Sequence, residues 1–581
     1  MKKLLRFLKD YKKETVLAPL FKLLEASFEL MIPLVVAAIV DQGIGQGEIS
    51  YVYKMGGIMI LLGVVGLIAA VSAQFFAAKA AVGFATGLRS ALFGHIQSLS
   101  YTEIDTVGTS TLITRLTSDV NQVQSGVNMT LRLLLRSPFI VFGAMIMAFT
   151  VDVRSALIFV WVIPLLCVVV FGIMLITMPM YKLVQKHLDE VLSLTRENLT
   201  GIRVIRAFHK EKEEVAKFKK GNDGLTDMQL SVGKISALMN PVTYVIINLG
   251  LVVLIYTGAM QVDAGRLTQG QVIALVNYIS QILVELIKMA NLIVLITKAL
   301  ASANRLSGIF EIKSSMDESG SEKIAEGKEI PVLEFEDAGF CYDGAGEESL
   351  SGIDFAIYPG ETVGIIGGTG SGKSTLVNLI PRFYDVTKGV LKFHGKPIAA
   401  YDTEELRERI GIVPQKAVLF KGTIQSNLCW GKEDATEEEM NEALFVSQAK
   451  EFVDKLDLGL ASPVAQGGKN FSGGQRQRLT IARALVRKPE ILILDDSTSA
   501  LDYATDAKLR AGLKERKDAM TTVIVSQRTS SIQHADKIVV LDDGKVAGIG
   551  THKYLLEHCE VYQEIYDSQY QNSSEEVAVN E

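Results

Sequence analysis

The residues Gly367-Gly368-Thr369-Gly370-Ser371-Gly372-Lys373-Ser374 fit the spacing GxxxxGK[ST]. Glycines at those places let backbone N–H groups turn inward onto phosphate oxygens. Lys373 is placed to neutralise outer phosphates, and Ser374 to hold Mg²⁺. The context agrees: Val363–Ile366 is apolar and strand-like, and Thr375, the next candidate contact, opens a helical stretch toward Ile380. A second apolar strand, Ile491–Leu494, ends in Asp495, an acid placed to order the metal through water. Gln415, in Ile412-Val413-Pro414-Gln415, is placed to sense metal and γ-phosphate. The chemistry these types and spacings support is binding of ATP with Mg²⁺ through Ser374, Gln415 and Asp495. Tyr342, in Phe340-Cys341-Tyr342, fits either adenine stacking or ordinary strand packing.

The elements that must hold these residues alternate strand-like and helix-like beyond residue 331, as in an α/β nucleotide-binding fold. Ahead of them, Lys313–Pro331 is polar and reads as a linker. The chain has 581 residues and a net charge of −6, with the basic surplus in the first 310 residues and the acidic surplus after them. An acidic nucleotide-binding half is a poor partner for nucleic acid. The 4 cysteines are scattered without metal-ligand spacing, which predicts free thiols.

Six apolar runs punctuate the basic part: Val16–Val40, Gly56–Ala80, Met129–Thr150, Ser155–Met178, Pro241–Met260 and Val272–Thr297. Each is long enough to cross a hydrocarbon core of ~30 Å at about 1.5 Å per residue. The links after the first, third and fifth runs are short and carry only Lys54, Arg154 and Arg266, whereas the others are long and basic. Positive charge stays inside, so the expectation is a multi-pass cell-membrane protein with both termini cytoplasmic. Lys2–Lys13 reads as an amphipathic helix with Leu4, Leu5, Phe7 and Leu8 toward lipid. The spans around Ala81–Arg136 and Tyr181–Lys220 are expected to continue below the membrane as helices, with Tyr101–Val107 and Phe208–Phe218 at the tips touching a soluble domain.

Phe471-Ser472-Gly473-Gly474-Gln475, with Arg476, Gln477 and Arg478 after it and Arg483 on the helix that follows, adds a specific signature. With it the whole chain resembles an ABC exporter half-transporter: an all-α six-helix transmembrane domain (1–310), a linker (311–331), an α/β P-loop ATP-binding cassette (332–572) and a polar tail (573–581). The resemblance implies that two cassettes pair head to tail. Ser472, Gly473, Gly474 and Gln475 would then serve the ATP on the partner's phosphate loop. It also implies that Ser499-Ala500-Leu501-Asp502 communicates between the two sites, and that the loop tips are coupling helices.

The chain departs from that family at the reaction centre. Asp496 stands where the family has the Glu that polarises the attacking water, and Gln527 stands where it has His. Ser497 replaces the usual Pro, and Gln466 a usual acid before the signature. Asp is one methylene shorter than Glu, and reach comes before pKa for a general base. The resemblance is thus closest to the degenerate-site subunit of heterodimeric bacterial multidrug exporters. Such a subunit is an ATP-hydrolysing translocase whose turnover occurs mainly at the site completed by a second half-transporter with consensus Glu and His. Alternatives are a lipid, peptide or siderophore transporter of the same fold, or a regulatory ABC subunit. Glu25 and Glu29 in the first span, if they line the cavity, suggest cationic amphiphiles as cargo. Glu285 and Lys288 in the sixth, three apart, either pair locally or take part in transport.

Overall fold

The computed structural model describes residues 4–317, 320–322, 330–516 and 520–579, the stretch 570–579 as backbone. It contains two compact units. One takes the chain up to Gln97 together with Ser110–Ile312; the other takes Ser98–Thr109 together with the chain from Lys313 onward.

The first unit is helical and, among the described residues, holds 6 helices long and apolar enough to cross a membrane: Leu4–Ile44, Ile49–Gln97, Thr109–Val151, Val153–Thr200, Glu211–Asp263 and Gln269–Glu311. The shortest has 41 residues, about 60 Å at helical rise, so all extend well beyond a hydrocarbon core. Every apolar run read from the sequence falls inside one of them. Close packing rests on small residues, as expected where lipid removes any hydrophobic drive between helices. Ala69, Ala73, Ala77, Ala80, Ala81 and Ala85 form a buried stripe on the second helix. Gly126 of the third lies so close to Ala299 of the sixth that an added Cβ would sit 2.2 Å from the alanine methyl. The third span is itself broken at Leu134–Leu135, between Val120–Leu133 and Arg136–Val151.

The N-terminal segment differs from expectation. Leu4–Tyr11 is a 3-10 turn that runs into the first span, with Leu4 buried and the Phe7 ring 6.5 Å from those of Phe84 and Phe310. Leu4 and Phe7 therefore pack inward, because neighbouring aromatic rings offer them more apolar contact than a helix lying flat would. Leu5 remains 44% exposed.

The second unit contains two main sheets. A six-stranded sheet runs, in spatial order, Lys545–Gly550, Lys537–Asp542, Thr362–Gly367, Thr521–Val525, Ile491–Asp495 and Ile410–Val413. All neighbours are parallel except the Lys545–Gly550 edge strand. A four-stranded antiparallel sheet orders Leu350–Ile357, Leu333–Phe340, Lys388–Phe393 and Lys396–Pro397. The parallel strands are buried on both faces, which explains their continuous Val, Ile and Leu. The helix Glu560–Val579 takes in residues 573–579 of the stretch read as a polar tail. Cys167, Cys341, Cys429 and Cys559 are all unbridged.

Candidate functional site

The parallel sheet gathers the chemistry at one edge. Strand Thr362–Gly367 delivers the phosphate loop, Ile491–Asp495 delivers Asp495 and Asp496, and Thr521–Val525 delivers Ser526 and Gln527. Val525 lies opposite Asp495 in register, and the Asp496 amide donates to the Val525 carbonyl at 3.0 Å. Ligands of open α/β sheets gather outside these carboxyl ends.

The glycines are sterically required at two points. A Cβ on Gly367 would lie 2.1 Å from the Leu541 carbonyl oxygen, and Gly372 combines φ +89° with the Ser349 carbonyl 2.8 Å from a Cβ. The Lys373 ammonium donates to the carbonyl of Gly367 at 2.9 Å and to that of Gly368. Burial pulls its pKa down, while Asp496 and Asp495 oppose that shift. Ser374 Oγ donates to Asp495 Oδ1 at 3.1 Å, so the hydroxyl and the carboxylate read as metal ligands do converge. Hard oxygen donors of this kind suit Mg²⁺. Thr375 Oγ1 meets the Tyr342 hydroxyl at 3.2 Å. The Tyr342 ring stands edge-on to Phe340 and Tyr384, which ties the aromatic cluster to the phosphate-loop helix.

Asp496 is the unusual member. It takes φ +44°, uncommon outside glycine, and its Oδ2 accepts from Gln415 Nε2 at 3.2 Å. Burial pushes the Asp496 carboxyl up, against lowering by Gln415 and Lys373. Burial does the same to Asp495, with Asp496 adding to the rise. Ser497 is buried and its hydroxyl lacks a hydrogen-bond partner. Gln527 is exposed. Its backbone is gripped by a residue sequence reasoning missed: Gln569 Nε2 donates to the Gln527 carbonyl at 2.7 Å, and Gln569 Oε1 accepts from the Thr529 amide and hydroxyl at 2.9 and 3.0 Å. A polar helix residue more than forty positions away carries no sequence signal of this role.

The signature stands apart from the phosphate loop. Ser472 caps the helix Gly473–Val486 in a capping box with Gln475, the Gln475 side chain accepting from the Ser472 amide at 2.9 Å. Among the described residues, Ser472, Gly473, Gly474 and Gln475 make no hydrogen bond to the phosphate loop. Asp502 caps the next helix by accepting from the Thr505 amide at 2.9 Å.

The first loop tip folds with the cassette, as expected. The Tyr101 ring lies tilted 4.7 Å from that of Phe383, Tyr384 donates to Asp105 Oδ2 at 2.6 Å, and Glu103 accepts from the Ser315 amide at 3.1 Å. Burial, reinforced by Asp105, raises the Tyr384 phenol. In the second tip Phe208 is 71% exposed.

In the membrane unit Glu25, Glu29, Glu285 and Lys288 belong to one network whose centre, Arg136, was missed. Arg136 donates to Glu285 at 2.6 Å and to Glu29 at 2.7 Å. Lys288 and the Ser137 hydroxyl complete Glu285 at 2.8 and 2.9 Å, and Lys22 pairs with Glu25 at 2.5 Å. The two carboxylates read as possible contacts for a cationic cargo already meet cations, Glu25 with Lys22 and Glu29 with Arg136. Arg132 and Arg136 near the start of the third apolar run were the available signal.

Six spanning helices fused to a P-loop cassette with a capped signature helix define a multi-pass membrane protein of the ATP-binding cassette type. Residues 15–286 match the family model of the ABC transporter transmembrane region, and residues 350–499 match that of the ABC transporter itself. The chain belongs to the ABC transporter family. It is 37% identical to the ABC transporter ATP-binding protein YfiB of Bacillus subtilis, over 98% of this chain and 99% of that one. It is 32% identical to the putative multidrug export ATP-binding/permease protein YgaD of the same species, over 98% and 99%. With the ATP-dependent lipid A-core flippase of Hahella chejuensis it shares 30% over 88% of each. The fold matches that of a bacterial Atm1-family ABC exporter solved with ATP bound, at a TM-score of 0.76 and 23% identity, covering 96% of this chain and 98% of that one.

Proposed function

We propose that this chain is one half of a heterodimeric, ATP-driven exporter of amphipathic compounds in the cell membrane, with both termini cytoplasmic. Its phosphate loop would bind ATP with Mg²⁺ at a slow site, and its signature would complete a fast site on the partner. The observation that carries this reading is the position of Asp496. It occupies the strand end beside Asp495, bonded to Gln415, with Gln527 just past the end of the adjoining strand in place of His.

The division of labour follows from the geometry. Lys373, Ser374 and Asp495 converge as phosphate and metal ligands must, which favours retained binding. Ser374 and Asp495 would hold Mg²⁺, whose charge would neutralise that of the bound phosphates. The short Asp496 side chain is committed to Gln415, and the loss of a correctly placed base costs ~10²–10⁴-fold in rate. Gln527 can donate one hydrogen bond but never carries a cation. Ser472 and Gln475, by contrast, keep a fully formed capping box ready for a facing nucleotide.

Steady-state ATPase of the purified chain, alone and after co-expression with a half-transporter carrying Glu and His at the matching places, tests the proposal. Slow turnover alone and fast turnover together are expected. Fast turnover by the chain alone, abolished by Asp496→Asn, would show a homodimer with two working sites instead.

A further inference from the structure

We infer that the membrane unit carries a subsite for the anionic headgroup of an amphiphile, built by Arg132 and Arg136 of the third span with Lys288 of the sixth. The inference deepens the transport reading above and rests on it only for what becomes of the ligand after it binds.

The argument is one of charge and of uncommitted donors. Three carboxylates, Glu25, Glu29 and Glu285, lie in this region, and each already meets a cation: Lys22, Arg136, and Arg136 with Lys288. None is left to recruit a positive ligand. The cations are not exhausted in the same way. Arg136 is 6% exposed, and its Nε has no hydrogen-bond partner; the nearest carboxylate oxygen, on Glu25, is 3.9 Å away. Arg132 lies four residues before it, on the other side of the break at Leu134–Leu135, and its Nε is also buried without a partner. Among the described residues no carboxylate pairs with Arg132. Val120–Val151 and Leu286–Phe310 contain no Asp or Glu. Lys288 touches Glu285, yet 43% of its side chain stays exposed.

Lys22, Arg136 and Lys288 thus offset the three acids, Arg132 adds a further positive charge to the third span, and the third and sixth spans have a mean hydropathy of 1.8 and 1.9 in their most apolar windows. Holding an uncompensated guanidinium there is costly unless an anion joins it. Guanidinium and ammonium groups with spare N–H donors bind carboxylate or phosphate oxygens through charge-assisted bonds. The surrounding apolar helices restrict access to anions that carry a hydrocarbon chain. The shared chemistry is an alkyl carboxylate or an alkyl phosphate, and a quaternary ammonium amphiphile is disfavoured by the same surplus.

The test is calorimetric titration of the full-length protein in phosphatidylcholine nanodiscs with dodecyl phosphate, dodecyltrimethylammonium and inorganic phosphate. Dodecyl phosphate is expected to bind at least ~10-fold more tightly than the ammonium amphiphile, and Arg132→Gln to weaken it about 10-fold while Arg132→Lys keeps most of the affinity. Should Arg132→Gln not fold, Lys288→Gln carries the same test, because Glu285 keeps Arg136 and Ser137. Equal binding of the two amphiphiles, or unchanged affinity in the neutral variants, overturns the subsite. Inorganic phosphate binding as tightly as dodecyl phosphate also overturns it, leaving a simple anion site. Failure of this inference and failure of the transport reading are separable. Lost anion preference with ATP-driven amphiphile movement intact sinks the subsite alone. Anion binding with no such movement, in the complex with its partner, sinks the transport reading alone.

Discussion

The two charged regions of this molecule are built on opposite plans. In the membrane unit, Glu25, Glu29 and Glu285 each lie against a cation, and the network ties the first, third and sixth spans together. At the sheet edge of the cassette, Asp495 and Asp496 sit side by side, and burial pushes both carboxyls up. Lys373, the cation closest to them in role, is occupied with backbone carbonyls. A paired network needs no visitor to be stable. Two adjacent acids and a lysine folded onto its own loop suit a site whose charges are balanced by what it binds. The contrast separates charge that holds helices in place from charge kept for a ligand, and Arg132 is the residue that breaks the pattern within the membrane unit.

The largest effect should come from breaking the paired region. Arg136→Met leaves Glu285 buried with only Lys288 and Ser137, and removing one partner of a buried ion pair costs ~3–5 kcal/mol. Thermal unfolding of detergent-solubilised protein should show a clear drop, and Arg136→Met combined with Glu285→Leu should recover part of it. A single variant as stable as the parent would mean the network holds nothing together.

Next comes repair of the unpaired region. Asp496→Glu with Gln527→His should raise phosphate release at this chain's own loop by ~100-fold, toward the lower end of what a placed base supplies. The measurement is made in the proposed complex, with the catalytic base of the second half-transporter removed. No change would place the block elsewhere, at Ser497 or Gln466.

The same site should also betray itself through pH. A carboxyl whose pKa is raised loses its charge as pH falls through that raised value, so Mg²⁺-dependent nucleotide affinity should begin to fall while an exposed carboxylate near ~3.9 is still ionised. Asp495→Asn should flatten that dependence. A titration that falls only in the ordinary carboxylate range would contradict the raised values.

The smallest effect is reserved for the brace on the switch. Gln569→Ala removes three hydrogen bonds to the backbone and side chain of Gln527 and Thr529, of which ~1–2 kcal/mol net is a fair expectation. Turnover at the repaired site should fall several-fold with little change in KM, and in a Gln527→Ala background the same change should add almost nothing.

The sequence conveyed some of this far better than the rest, for physical reasons. Long apolar runs and the Gly367–Ser374 spacing are local patterns, and local geometry alone makes them legible. The pairing of Glu285 with Lys288 was one of two readings the spacing left open, since three residues is about one helical turn. Arg136 was not legible, because its partners are 107 and 149 positions away and the third apolar run reads as a span with or without it. Gln569 is likewise invisible, being one polar residue on a polar helix. The inward turn of Leu4 and Phe7 depended on where Phe84 and Phe310 would be, which no window of sequence contains.

The segment Tyr101–Val107 has a practical consequence for anyone who wishes to handle the cassette by itself. It comes from between the second and third spans, yet it folds as part of the nucleotide-binding unit. A soluble fragment beginning at Lys313 would keep both sheets but shed the covering over Phe383 and Tyr384, leaving a sticky aromatic patch where Tyr101 and Asp105 had been. Such a fragment should self-associate, and a synthetic peptide of residues 98–109 added in trans should disperse it. The gene joins those residues to the membrane helices; folding assigns them to the engine.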